Sequence, residues 1–214
     1  MLKIYLHGFA SSPGSKKARY FQERVPGLIV PDLAGDDFEH LTITGQLEVL
    51  QRVANGRPAS LIGSSMGGYL AALYGARHPE VERLVLLAPA FAFAKRWAER
   101  VGPAQMEDWR RTGFMEVFHY GDGRNRQLGY PLLEDAQRYE DFPALTQPTL
   151  IFHGAVDDVV PVELSRRFAE SRPNVRLQVM ESGHELLNVL DEIGAEARAF
   201  LGSGLTFPDS SSRR

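Results

Sequence analysis

The chain has 214 residues, a length that fits one domain, and its 43% hydrophobic and 24% charged residues are typical of a globular protein. The net charge of −3 gives no electrostatic reason to expect nucleic acid or an anionic membrane as a partner. The absence of cysteine excludes thiol catalysis, disulfides and cysteine-ligated metals.

Nothing in the sequence indicates a membrane segment. No apolar run is long enough to cross a bilayer, and the first residues lack the apolar core and cleavage site of a signal peptide. We therefore expect a cytoplasmic protein without a membrane partner; no pattern indicates an oligomeric state.

Short apolar segments predict strands, and amphipathic segments predict helices between them. The strand segments are 3–6, 28–30, 59–62, 83–87, 149–152 and 175–180. The helical segments are 46–54, 66–76, 161–170 and 185–201. Several strand segments are apolar without alternation, as expected when helices cover both faces of a sheet. The pattern predicts an α/β fold with a doubly wound, mostly parallel sheet.

The alternation stops between about residues 91 and 142. An aromatic helical stretch is followed by a hairpin pattern over 114–120 with a turn at Gly121-Asp122-Gly123. Long excursions between central strands often carry function, so we expect a helical and hairpin lid; the alternative is an accessory element that never touches substrate. We expect one domain over 1–201 that includes this insertion, and a flexible tail over 202–214.

The strongest chemical signal is Gly63-Ser64-Ser65-Met66-Gly67, which matches G-x-S-x-G between a strand and a helix. Such a turn is so tight that the residues two positions either side of the serine must lack side chains. It projects the serine hydroxyl above the carboxyl edge of the sheet, which makes Ser65 the candidate nucleophile. A glycine-rich turn that only allows close packing is the alternative.

An acid and a base follow in the order Ser, acid, His. Asp157 comes after the strand segment 149–152 and is preferred by analogy with the motif over Asp158, although either carboxylate could instead cap the turn before Pro161. His184 lies between the last strand and the last helix, and the ordinary pKa of histidine suits a general base.

The same motif predicts an oxyanion hole of two backbone N–H groups. Met66 follows the nucleophile, and Phe9 lies in the turn after the first strand, where Gly8 lets the chain turn sharply. His7 and His153 are more simply explained as structural braces than as groups that touch substrate.

Aromatic residues of the insertion could wall an apolar pocket or form the core of the insertion itself. They are Phe91, Phe93, Trp97, Trp109, Phe114, Phe118 and Tyr120. The candidate substrate contacts among them are Phe91, Trp97, Trp109 and Phe114. Three arginines, Arg96, Arg110 and Arg111, are more simply solvated than contacts for an anionic substrate such as a CoA ester. No nucleotide motif or metal-spaced histidine cluster occurs, so we expect no cofactor and no metal.

With these residues in place, the chain resembles the α/β-hydrolase superfamily up to about Leu201. The segment Tyr5-Leu6-His7-Gly8-Phe9-Ala10-Ser11-Ser12-Pro13-Gly14-Ser15-Lys16 resembles the small bacterial YqiA/YcfP-type esterases more specifically. Pro31-Asp32-Leu33 and Ser182-Gly183-His184-Glu185 are similar to that group too. The resemblance implies an α/β-hydrolase fold with reduced N-terminal strands, and a triad of Ser65, Asp157 and His184.

The resemblance also implies hydrolysis of a small-molecule carboxylic ester or thioester through an acyl-enzyme. Two other hypotheses remain. One keeps the triad for non-hydrolytic chemistry, as in a lyase or perhydrolase, since one fold hosts many reactions. The other is a non-catalytic binding module.

Overall fold

The computed structural model describes residues 1–35 and 37–202, within which eight strands lie. In chain order they are β1 (Leu2–Leu6), β2 (Leu28–Ile29), β3 (Ala59–Ser64), β4 (Val81–Leu87), β5 (Phe114–His119), β6 (Arg124–Gly129), β7 (Thr149–Gly154) and β8 (Val175–Met180). Six of them form one sheet in the order β2-β1-β3-β4-β7-β8, and all its pairings are parallel. The order reverses at β1–β3, which is the pattern of a doubly wound sheet.

Helices cover both faces of this sheet. They are α1 (Lys16–Arg24), α2 (Ile43–Ala54), α3 (Met66–Gly75), α4 (Phe93–Val101), α5 (Pro103–Thr112), α6 (Pro131–Ala136), α7 (Val162–Glu170) and α8 (Leu190–Gly202). Short 3-10 turns at Phe38–His40 and Leu187–Val189 complete the regular structure that is described. None of the helices in the described ranges is long and apolar enough to span a bilayer.

The core has two layers because side chains alternate along each strand. In β4, Leu84 and Leu86 join the cluster that includes α2 and α3, whereas Val85 and Leu87 join the cluster that includes α1 and α8. All four side chains are buried. This explains why the strands read as continuous apolar runs in the sequence.

The predicted fold class is confirmed: the sheet is parallel and helices flank it. All six predicted strands belong to this sheet, and the predicted hairpin is the antiparallel pair β5–β6. The sequence pattern missed α1, whose N-cap Ser15 accepts a hydrogen bond from the Ala18 N–H but which buries few apolar residues. The predicted tail 202–214 lies outside the described residues except for Gly202.

The last helix was predicted from residue 185 but begins at Leu190. Leu186 buries its side chain completely while its backbone has φ 56°, a left-handed conformation that an α-helix cannot contain. The residues that follow His184 therefore form a separate turn, and the helix starts only after it.

The segment between β4 and β7 packs against the sheet domain at several points. Phe91 stacks on Phe168 of α7, with ring centroids 4.2 Å apart. The indole Nε1–H of Trp109 donates to the Leu128 carbonyl over 2.9 Å, which joins α5 to the hairpin. The hairpin is tied to the loop after β1, because the Tyr120 N–H donates to the Ala10 carbonyl over 2.7 Å. A role of this segment as a lid stays a prediction.

Replacing Phe168 with Ala should test how much the Phe91–Phe168 contact contributes to stability. Because Phe168 is fully buried, we expect the free energy of unfolding to fall by about 3–5 kcal/mol. The matched change Phe114→Ala removes a ring that is 38% exposed and should cost markedly less. Urea unfolding followed by circular dichroism measures both, and equal losses would contradict the assignment of Phe168 to the core.

Candidate active site

The turn between β3 and α3 holds Ser65 in an unusual backbone conformation. Its φ is 53° and its ψ is −116°, a region that residues other than glycine rarely adopt. The Ser65 N–H donates to the Leu87 carbonyl over 2.8 Å, and its carbonyl accepts from the N–H groups of Gly68 and Tyr69. The neighbouring strand and the first turn of α3 therefore fix this conformation on both sides of the residue.

The glycines two positions either side of Ser65 allow the turn to close. A Cβ added at Gly63 would overlap the Gly67 carbonyl, and one added at Gly67 would overlap the backbone at the end of β1. These atoms are backbone, so they cannot move aside as a flexible side chain would. The two outer glycines of the G-x-S-x-G pattern are thus required by close packing, as the sequence predicted.

His184 lies between Ser65 and Asp157. Its Nδ1 is 2.8 Å from the Oδ2 of Asp157, and its Nε2 is 3.1 Å from the Oγ of Ser65. Because a carboxylate only accepts hydrogen bonds, Nδ1 carries the proton, and Nε2 is left to accept from the serine hydroxyl. The three predicted residues are therefore brought together as a continuous hydrogen-bonded chain.

Asp157, rather than Asp158, is the carboxylate that His184 contacts. Its side chain is fully buried, and its Oδ1 accepts from the N–H groups of Val159 and Val160 at 2.9 and 2.7 Å. Asp158 is exposed on the same loop. The loop is shaped by the end of β7, where a Cβ added at Gly154 would overlap the backbone carbonyl of Ser182.

A second histidine contacts the same carboxylate. His153 is fully buried, and its Nε2 is 3.2 Å from the Oδ2 of Asp157 and 2.8 Å from the Val160 carbonyl. Both partners are acceptors, so Nε2 carries the proton, and Nδ1 accepts from the Ser165 hydroxyl over 2.7 Å. His153 is thus a brace, as expected, but one that acts directly on Asp157. Its place immediately before Gly154 at the strand end is the only sequence signal for this contact.

The surroundings of Asp157 keep it ionised. Burial alone raises the pKa of this carboxyl group, but hydrogen bonds from His153, His184 and the Val160 N–H outweigh burial and hold the pKa well below its usual range. An ionised carboxylate at this position accepts from the imidazole Nδ1–H and stabilises a positive charge on the ring.

The two predicted oxyanion donors flank Ser65. Met66 is the first residue of α3, and the N–H groups of Met66 and Phe9 have no hydrogen-bond partner among residues 1–35 and 37–202. Gly8 brings the loop after β1 close to the serine, since a Cβ added there would lie 3.5 Å from the Ser65 Cβ. Free backbone N–H groups beside a nucleophile can stabilise an anion that forms on the substrate.

His7 braces the loop that carries Phe9. Its Nδ1–H donates to the Gly8 carbonyl over 3.0 Å, and its Nε2 accepts from the Leu33 N–H over 3.2 Å. Burial lowers the pKa of His7, which keeps the ring neutral for these two roles. His7 is therefore committed to the loop, in agreement with the structural role expected for it.

A cavity of about 1110 Å³ opens beside Ser65 and His184, and it is lined by one of the four residues expected to contact substrate. Of the four candidates, Trp97 lines it. Phe91 and Trp109 are buried in the core, and Phe114 lies against His40 with ring centroids 6.3 Å apart. The apolar side chains that line the cavity include Phe9, Phe93, Trp97, Met115, Val117, Phe118 and Tyr120. The described residues contain no cluster of His, Asp and Glu that could hold a metal ion.

Comparison with known proteins identifies a family and a fold. The sequence model of the Uncharacterised protein family UPF0227 matches residues 2–201. The 2-hydroxymuconate semialdehyde hydrolase of Pseudomonas putida is 27% identical, with 86% of this chain and 79% of that protein covered.

Two solved structures share the architecture. A protein from Agrobacterium vitis S4 is 25% identical with a TM-score of 0.80, covering 92% of this chain and 87% of that one. The α/β hydrolase domain-containing protein 10 of mouse is 18% identical with a TM-score of 0.77, and the match covers 93% of this chain and 88% of that one. The chain therefore has the α/β-hydrolase fold, and its similarity to the Pseudomonas protein supports a hydrolase.

Replacing His153 should change the titration of Asp157. In His153→Leu the donor to the ionised carboxylate is lost, so the pKa of Asp157 should rise; His153→Gln keeps an N–H and should raise it less. A carbon-13 NMR titration of the Asp157 carboxyl group measures both, and His40→Leu, at an exposed histidine, is the control.

The substitution His153→Leu should also lower the free energy of unfolding by an amount that depends on pH. Because the pKa of Asp157 is lower in the folded chain than in the unfolded one, ionisation stabilises the fold above about pH 4. This contribution is lost as the pH falls toward the folded pKa. The stability deficit of His153→Leu should therefore shrink in acid, and an unchanged Asp157 titration would contradict the role assigned to His153.

Proposed function

We propose that this chain, which belongs to the UPF0227 family, is a serine hydrolase that cleaves small-molecule carboxylic esters or thioesters. Ser65 is the nucleophile, His184 the general base and Asp157 the acid that orients the histidine. The observation that carries the proposal is the hydrogen-bonded chain from Ser65 Oγ through His184 to Asp157, at 3.1 and 2.8 Å. A nucleophile, a base and a group that orients the base are what acyl transfer requires.

In the first half of the reaction, Ser65 Oγ attacks the carbonyl carbon of the ester while His184 Nε2 takes the hydroxyl proton. The negative charge that develops on the carbonyl oxygen is stabilised by the N–H groups of Met66 and Phe9. The bond to the leaving group then breaks, and His184 Nε2–H gives its proton to the departing oxygen or sulfur. The product is an acyl group esterified to Ser65.

In the second half, water attacks the acyl carbon as His184 Nε2 accepts a proton from it. Collapse of this second tetrahedral intermediate breaks the bond to Ser65 Oγ, and His184 returns the proton to the serine. Asp157 stays ionised throughout and stabilises the positive charge that appears twice on the imidazole. Every step uses side chains and backbone groups of this chain, and the proposal requires no cofactor.

The arrangement favours acyl transfer over lyase chemistry and over a non-catalytic binding module. The unpaired N–H groups beside Ser65 suit a carbonyl oxygen that becomes negatively charged, which acyl transfer produces. A binding module would need neither a strained serine nor a buried carboxylate held ionised behind its histidine. The similarity to a protein named as a hydrolase points the same way.

Reaction with a fluorophosphonate probe tests whether Ser65 is activated. We expect mass spectrometry to find the label on Ser65, because the adduct places a phosphoryl oxygen where the carbonyl oxygen would lie. The label should be lost in Ser65→Ala, fall sharply in His184→Ala and persist in Ser171→Ala, a change at an exposed serine. A folded protein that takes up no label, or takes it up equally in Ser65→Ala, would refute the proposal.

Substitution of the two neighbouring aspartates tests which of them orients the base. Asp157→Asn should lower kcat for a 4-nitrophenyl ester by roughly 10³-fold or more, since an amide cannot both keep the histidine tautomer and stabilise the imidazolium. Asp158→Asn changes the same charge at an exposed position and should have little effect. A large loss in Asp158→Asn with a small loss in Asp157→Asn would reverse the assignment.

A further inference from the structure

The cavity beside Ser65 has a strongly unequal charge. Among the described residues that line it are five cationic side chains, and Glu185 is the one carboxylate. The cationic residues are Lys16, Lys17, Arg19, Arg96 and Arg100. The whole chain has 27 acidic and 24 basic residues, so this excess of positive charge is local to the cavity and does not follow from composition.

Lys17 is the most buried of these five cationic residues. Its side chain is 11% exposed, and its Nζ is 3.8 Å from the Oε2 of Glu185, which is longer than a hydrogen bond. Glu185 is itself largely exposed, so the pair is weak. Burial lowers the pKa of Lys17 and outweighs the opposite effect of the Glu185 and Asp157 carboxylates. An oxyanion in the cavity would offer this ammonium group an acceptor at a shorter distance than the 3.8 Å that separates it from Glu185.

Arg96 approaches the site from α4. It is half-buried, its guanidinium donates to the Val159 carbonyl, and no carboxylate forms an ion pair with it in the part of the chain that the structure describes. A guanidinium has five N–H donors, so most of them are available to a ligand. Arg110 and Arg111 differ, because they pair with Glu107 and Asp108 on the exposed face of α5 and do not line the cavity.

Apolar residues also line the cavity, among them Phe93 and Trp97 on the same helix as Arg96. A cavity lined by both apolar and cationic side chains suits a ligand that carries an apolar group and an anionic group. We infer that the cavity binds an oxyanion through Lys17 and Arg96, so that the preferred substrates carry a carboxylate or phosphate group as well as an apolar group. The statement about preferred substrates rests on the proposed function, whereas the binding of an oxyanion does not.

Binding can be measured without turnover by calorimetry with hexyl phosphate, heptanoate and 1-hexanol. At least one of the two anions should bind about 10-fold more tightly than the alcohol, with an advantage that falls as salt is added. Which anion binds identifies the oxyanion. Lys17→Met keeps most of the apolar stem of the side chain and should remove most of the anion's advantage in affinity over the alcohol. Arg96→Met should reduce this advantage, and Arg111→Met is the matched control.

The inference is overturned if neither anion binds more tightly than the alcohol, or if Arg111→Met weakens the anions as much as Lys17→Met does. If Lys17→Met does not fold, two other measurements test the inference. The first compares anion affinity in Arg96→Met with that in Arg111→Met, and the second is the salt dependence of anion binding by the unsubstituted protein.

Hydrolysis separates this inference from the proposed function. The ratio of kcat/KM for 3-carboxy-4-nitrophenyl butanoate to that for 4-nitrophenyl butanoate should exceed one and fall in Lys17→Met. Hydrolysis of both esters without a preference for the charged one would overturn the inference and leave the hydrolase standing. Tight anion binding with no hydrolysis of either ester would sustain the oxyanion site and contradict the proposed function.

Discussion

The close contact between the end of β1 and the start of α3 is the constraint on which the site depends. Because Gly63 and Gly67 have no side chains, β1, β3 and α3 can approach until their backbone atoms are in contact. In this turn Ser65 has φ 53°, and both Ser65 and Met66 line the cavity. The strain of this conformation is offset by hydrogen bonds to β4 and within α3, so the nucleophile stays in position without a ligand.

The acid loop is held by a second set of buried contacts. Because Gly154 has no side chain, the end of β7 can lie close to the turn after β8. His184 comes directly after that turn. The Oδ1 of Asp157 accepts hydrogen bonds from two backbone N–H groups, and its Oδ2 contacts His153 and His184. His153 lies in β7 and its Nδ1 contacts Ser165 of α7, so the carboxylate and the His184 that it contacts are oriented before any substrate arrives, which is the condition for efficient general-base catalysis.

The sequence could predict features that follow from local chemistry. Apolar runs gave the six strands of the sheet, and the ends of parallel strands meet at one edge, so Ser65, Asp157 and His184 could be expected to converge. The identity of the cavity wall depends on contacts between distant segments and could not be predicted. Phe91 is a typical pocket residue by type, yet it stacks on Phe168, which lies far along the chain in α7.

The most direct test of the account is to trap the acyl-enzyme. The protein is mixed with 4-nitrophenyl butanoate, quenched in acid within the first turnovers and digested for mass spectrometry, with His184→Ala as comparison. We expect the peptide that contains Ser65 to gain the mass of one butanoyl group, with Ser65 as the modified residue and far less modification in His184→Ala. Rapid hydrolysis without acylated Ser65, or with the acyl group on another residue, would contradict the central claim that Ser65 attacks the carbonyl.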